Sequence, residues 1–212
     1  MATTRIEVET PSGPGWIDLD RPARTARAVL ALGHGAGGGV TAPDLVAVRD
    51  AALGAGFAVA RITQPYRVAG RRAPAPAPRL DEAWIAIVEH LRRQRSLASV
   101  ALIQGGRSSG ARVACRTAGA LGAAAVVALA FPLHPPGNPA RTRIEELVLP
   151  TVPVLVVQGD RDAFGMPPAS AAARLVVIDG ADHSLKRSTA QIGRAVVEFV
   201  DSVLAAPPAP NA

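Results

Sequence analysis

Strand-length apolar runs and segments of helical period alternate along this chain, and few architectures accept that order. Ile6–Glu9 and Trp16–Leu19 flank the turn signal SGPG and predict an N-terminal hairpin. Ala28–Leu32, Phe57–Ile62, Val100–Gln104, Ala125–Ala130, Val152–Gln158 and Arg174–Ile178 read as strands. Between them, Asp44–Leu53, Leu80–Arg95, Ser109–Leu121, Ile144–Leu147 and Ser188–Leu204 read as helices, with apolar residues at 80, 84, 87, 88 and 91 forming one helical face. The first helix is expected to cap near Thr41, with Pro43 in its first turn. This order predicts an α/β fold, a mostly parallel sheet with helices on both faces. Residues 1–205 are expected to form a single domain without a separate cap, and 206–212, APPAPNA, a disordered Pro/Ala-rich tail.

Composition narrows the function classes. The chain has 212 residues, 49% hydrophobic and 19% charged, as globular proteins do. Its net charge of +6 raises nucleic acid as a partner. The arginines, however, are scattered, the aromatics number only seven, and Lys186 is the sole lysine, a bias typical of a GC-rich genome. Nucleic-acid binders concentrate charge on one element with aromatics between, so no nucleic-acid partner is expected. Arg92, Arg93 and Arg95 close a helix, where positive charge suits the dipole. One cysteine, Cys115, excludes an intramolecular disulfide, and no two His or carboxylates sit at ligand spacing on a shared element, so no metal is expected. MATTRIEVET lacks the apolar core of a signal peptide, and the longest uncharged run, Ala118–Leu133, is too short and glycine-broken to span a bilayer. The expectation is a cytoplasmic protein with no membrane partner.

The stretch VALIQGGRSSGARVA, residues 100–114, carries the sharpest chemical signal. A nucleophile elbow holds a serine on a strained strand-to-helix turn, with small residues two before and two after it. Gly106-Arg107-Ser108-Ser109-Gly110 meets that pattern with Ser108 at its centre, whereas centring on Ser109 would put Arg107 at a small-residue position. Serine needs a base, and the base needs an orienting carboxylate. After the strand Val152–Gln158 comes GDRDAFG, offering Asp160 and Asp162; after Arg174–Ile178 comes DGADHSLK, offering His183. Asp162 is favoured because its distance from Gly159 lets the loop turn back toward the histidine. Asp160 reads as a turn residue, and Asp182 diverges from its neighbour His183.

The loop GHGAGGG admits two readings, because Gly33, Gly35 and Gly38 also match G-x-G-x-x-G of a dinucleotide fold. Val40, Thr41 and Pro43 delay the helix, and the next strand ends in ARITQPY with no carboxylate for a ribose. An oxyanion loop fits better, with the backbone N–H of Ala36 joining that of Ser109. No cofactor is then expected. His34, Tyr66, Phe131, His134 and Phe164 all follow strand ends and are pocket candidates, with ordinary packing the competing reading. The Pro/Arg loop 65–79 reads as a lip over the site or as a solvated surface loop.

Together, GHGAGGG, GGRSSGARVA, LAFPLHPPG, VVQGDRDAFG and GADHSLK resemble the α/β-hydrolase superfamily. More narrowly they resemble its compact, capless dienelactone-hydrolase-like group, which includes the testis-expressed-30 type proteins. The resemblance implies Ser108 as nucleophile, His183 as base, Asp162 as acid, and Ala36 and Ser109 as oxyanion donors. It implies a serine hydrolase of small ester or thioester substrates. Dienelactone hydrolases use a cysteine where this chain has Ser108, so their substrate does not carry over. The group also contains members regarded as scaffolds, which keeps an inert, partner- or ligand-binding reading open. Substrate identity and oligomeric state are not legible in the sequence.

Overall fold

In the computed structural model, which describes residues 3–206, eight strands form one sheet. The strands are β1 (Thr4–Val8), β2 (Gly15–Asp20), β3 (Ala28–Gly33), β4 (Ala58–Thr63), β5 (Ala101–Arg107), β6 (Ala125–Leu129), β7 (Val154–Gly159) and β8 (Arg174–Ile178). Their spatial order is β1-β2-β4-β3-β5-β6-β7-β8. β2 pairs antiparallel with both β1 and β4, and every pair from β4 to β8 is parallel. The central strands β3, β6 and β7 are buried at every position, which is why they read as continuous apolar runs.

The helices are α1 (Pro43–Gly54), α2 (Pro65–Val68), α3 (Ala77–Arg92), α4 (Ser109–Thr117), α5 (Ile144–Val148) and α6 (Thr189–Ala205). On one face, Leu45, Val48 and Ala52 of α1 and Ile192, Val196 and Phe199 of α6 pack on alternate residues of β3–β7. On the other, Leu80, Trp84, Ile87 and Leu91 of α3 cover Val29, Ala31, Ala58 and Ala60, while α4 and α5 share a third cluster with β6 and β7. The expected architecture, a mostly parallel sheet with helices on both faces, is present, and the described residues hold no separate cap. Among the described residues, no helix is long and apolar enough to cross a membrane. Beyond Ala206, the tail expected to be disordered lies outside the described residues.

Several boundaries differ from the sequence reading. Strand β5 continues three residues past Gln104, because Gly105, Gly106 and Arg107 pair in register with Val127, Ala128 and Leu129. Helix α1 is capped at Ala42, next to Thr41 as expected, but uses no side-chain cap; Pro43, at the start of the helix, presets the first turn instead. Arg92 does not serve its own helix dipole alone, since its guanidinium donates to the carbonyls of Leu97, Ala98 and Val100 and ties down the following loop. The segment 65–79 is not all loop: it contains α2 and the first turn of α3. At the hairpin, Asp20 of β2 accepts from Arg61 of β4 at 3.1 Å with both side chains about 5% exposed, a buried pair that fixes this antiparallel register.

Candidate active site

Six connections leave the carboxyl ends of the parallel strands β3 to β8. The sharpest is the β5–α4 turn, where Ser108 sits at φ 52°, ψ −112°, outside the regions that side chains favour. Its N–H donates to the Leu129 carbonyl at 2.9 Å, which anchors the turn to β6. The turn closes only because its flanks are glycines. A Cβ on Gly106, itself at φ 156°, would lie 2.4 Å from the Gly33 oxygen, and one on Gly110 would lie 2.5 Å from the Gly33 carbonyl. Strand β3 and helix α4 therefore touch backbone to backbone. Helix α4 starts at Ser109, immediately after the serine, with its free N–H groups at that end.

Three side chains assigned from separate loops meet here. Ser108 Oγ lies 2.9 Å from His183 Nε2, and His183 Nδ1 lies 2.8 Å and 3.1 Å from Asp162 Oδ2 and Oδ1. Asp162 is enclosed, with its side chain 0% exposed, while that of His183 is 22% exposed. The remaining lone pairs of the carboxylate are occupied: Phe164 N–H donates to Oδ1 and Gln158 Nε2 to Oδ2, each at 2.8 Å. Such a carboxylate is pinned in position and oriented toward the imidazole. Phe164 also stacks on the His183 ring, with centroids 4.0 Å apart. Asp160 and Asp182 stay out of the cluster; Asp182 instead caps its own turn by accepting from Ser184. The acid and base loops are joined directly, since Arg161 N–H donates to the Ala181 carbonyl and a Cβ on Gly159 would lie 2.3 Å from that oxygen.

The glycine loop after β3 runs beside the elbow, where a Cβ on Gly35 would lie 3.6 Å from Ser108 Cβ. Among the described residues, the N–H groups of Ala36 and Ser109 donate to no protein acceptor. His34 lines a narrow pocket together with Tyr66, Trp84 and Ser109, as its position after the strand suggested. It is 3% exposed, donates from Nδ1 to the Gly35 carbonyl at 2.8 Å, and accepts at Nε2 from Gln64 N–H at 3.1 Å. Burial holds this imidazole below its usual pKa, outweighing the Gly35 carbonyl that favours a proton, so it serves as a neutral strut. Tyr66 supports the same loop from outside, donating its hydroxyl to the Ala36 carbonyl at 2.8 Å; burial pushes that phenol up to about 12.

Phe131 departs from expectation. It is fully buried in the cluster of Ala111, Cys115 and Leu147, following the backbone turn at Ala130 (φ 46°). His134 packs against the α-carbon of Gly165 and binds the Pro135 carbonyl at 2.9 Å, bracing the acid turn. The 65–79 segment lines a cavity of about 570 Å³ with Gln64, Tyr66, Arg71, Arg79 and Leu80, which contains none of Ser108, Asp162 or His183. That cavity adjoins the outer wall of the glycine loop through Tyr66.

Two residues with evident roles carry no motif. Gln158 is buried in β7 and donates to Asp162, and it also lies 2.8 Å from the Gly165 carbonyl. Its only trace in sequence is a polar side chain inside an apolar run. Arg107 donates from Nε to Asp44 at 2.9 Å and from Nη2 to the His183 carbonyl at 2.7 Å. Burial pushes the Asp44 carboxyl up, and the Arg107 charge offsets only part of that.

The sequence profile of the α/β hydrolase domain matches residues 26–205, and the chain belongs to that family. Among curated proteins, none matches the chain by sequence. Solved structures share its fold. A serine hydrolase of Xanthomonas campestris, described as lacking a lid, is 23% identical with a TM-score of 0.74, covering 98% of each chain. An α/β serine hydrolase homologue from Coxiella burnetii is 18% identical at TM-score 0.75, covering 94% of this chain and 98% of its own. A dienelactone hydrolase from Anabaena variabilis is 19% identical at TM-score 0.72, covering 95% of each.

Proposed function

We propose that this α/β hydrolase is a serine esterase or thioesterase acting on small carboxylic substrates through an acyl-enzyme. One observation carries the reading: an unbroken hydrogen-bonded chain runs from Ser108 Oγ through the His183 ring to a fully enclosed Asp162. Asp162 holds the Nδ1–H tautomer, which leaves Nε2 as the acceptor facing the serine hydroxyl. As Ser108 attacks the carbonyl carbon, Nε2 takes its proton and then delivers it to the departing alcohol or thiol. The imidazolium formed in between is stabilised by the carboxylate. Negative charge on the tetrahedral oxygen is met by the N–H groups of Ala36 and Ser109, which have no other partner among the described residues. Water then enters by the same route, with His183 as base, and releases the acid.

The test is covalent labelling by a fluorophosphonate, read by mass spectrometry. The folded chain and Ser109→Ala are expected to label, and Ser108→Ala not to. A folded wild type that resists labelling overturns the proposal and leaves the inert binding reading.

A further inference from the structure

The elbow needs glycine at 106 and 110 and serine at 108, but its geometry sets no requirement on the side chain at 107. That position nevertheless holds an arginine whose side chain is only 14% exposed. Its guanidinium spans three segments. Nε donates to Oδ2 of Asp44, a wholly enclosed carboxylate in the first turn of α1. Nη2 donates to the backbone carbonyl of His183. Nη1 lies against Gly35, where a Cβ would come within 3.1 Å of it. A planar fork with fixed N–H directions can meet such a set, and a lysine ammonium cannot meet it in the same geometry.

We infer that Arg107 is a positioning residue that sets the Ser108–His183 distance by tying the residue before the nucleophile to the main chain of the base. His183 is then located twice, its ring by Asp162 and Phe164 and its backbone by Arg107. The second tie is referenced to the nucleophile itself, because Arg107 is the last residue of β5 and immediately precedes Ser108. Without it, the 179–188 loop keeps its anchor to the acid turn but loses its anchor to the elbow. Asp44 keeps the fork from rotating away by engaging Nε while Nη2 holds the His183 carbonyl. Through Gly35, the same fork also backs the glycine loop that carries the Ala36 N–H.

This inference rests on the proposed serine chemistry, so its test carries one readout that needs no turnover. In Arg107→Ala and Arg107→Lys, hydrolysis of p-nitrophenyl acetate is expected to lose about 10–100-fold in kcat with KM within about twofold, the scale of a misplacement near 1 Å. Guanidinium ion at low millimolar concentration is expected to restore part of the loss in Arg107→Ala and none in Arg107→Lys. In proton NMR, the His183 Nδ1–H resonance, assigned by its disappearance in His183→Gln, is expected to exchange with water several-fold faster in both variants. Removing Arg107 strands the Asp44 carboxylate, so the comparison is repeated in an Asp44→Asn background, where no buried charge is left unpaired. Arg107 variants that only melt lower, with unchanged kcat and unchanged Nδ1–H exchange, overturn the inference. If wild type hydrolyses and labels nothing, the serine chemistry fails instead, and the exchange rates alone decide for or against the Arg107 tie.

Discussion

The backbone contact between β3 and α4 makes Gly110→Ala a severe change at a position where helix propensity alone favours alanine. Its Cβ would lie 2.5 Å from both the carbon and the oxygen of the Gly33 carbonyl and 3.0 Å from Gly33 Cα. Ordinary carbon contacts fall at about 3.5–4.0 Å, so the overlap approaches about 1 Å. No side chain can rotate to relieve it. Strand β3 is held between β4 and β5, so helix α4 must move. Overpacking of this kind costs about 1–3 kcal/mol, and backbone against backbone belongs at the upper end. Alanine returns up to about 1 kcal/mol of helix propensity, leaving a net loss of roughly 2 kcal/mol. For a chain of this size that lowers the melting temperature by roughly 4–8 °C. Fluorophosphonate labelling should fall further, by about 100-fold, because a displaced α4 carries the Ser109 N–H with it. Gly54→Ala at the end of α1 is the matched control: its Cβ meets nothing within 4 Å, so it should equal or exceed wild-type stability. Melting by circular dichroism and labelling by mass spectrometry measure both quantities. A Gly110→Ala protein as stable as Gly54→Ala, with wild-type labelling, refutes the close-contact reasoning.

Two further outcomes follow from the polar contacts around the site. Gln158→Leu removes the hydrogen bond to the Asp162 carboxylate at a buried position, and a bond to a charged group is worth about 1.5–3 kcal/mol, so the labelling rate should drop about 10–100-fold with the fold retained; unchanged labelling would assign Gln158 to packing alone. His34 is held neutral by burial, so its folded pKa lies below the value of about 6.5 expected in the unfolded chain. The unfolded state then binds the proton first: the stability from His34 is complete above about pH 6.5 and declines as pH falls toward the folded pKa. Melting temperature should fall more steeply with acid in wild type than in His34→Gln, and parallel curves would show that His34 does not titrate on unfolding.

Much of this molecule is written locally. The apolar runs located every strand, because β3, β6 and β7 are buried on both faces and tolerate nothing polar without a partner. Ser108, Asp162 and His183 were readable because chain order and strand ends restrict where such residues can fall. The extension of β5 through Gly105–Arg107 was not, since two glycines argue against a strand and only the pairing with β6 holds them in one. Phe131 followed a strand end as Phe164 did, yet one went to the core and the other onto the histidine. That difference depends on the backbone turn at Ala130 and on the Asp162–Phe164 bond, neither of which has a local signal. Arg107 and Gln158 were invisible for a related reason: their partners lie on other loops or depend on how the turns close.

The distribution of these parts along the chain carries one more consequence. The glycine loop and Asp44 come from the first quarter of the chain and the elbow from its midpoint, whereas Asp162 and His183 arrive from its last quarter. Helix α6, downstream of His183, must then dock on α1, where a Cβ on Gly193 would lie 2.9 Å from the Ala47 oxygen and the Ala51 side chain. A nascent chain therefore carries Ser108 through the 75 positions that separate it from His183 without that base beside it. On the proposed chemistry, the hydrogen-bonded chain from Ser108 to Asp162 is complete only once these long-range contacts form, so probe labelling would report completed folding.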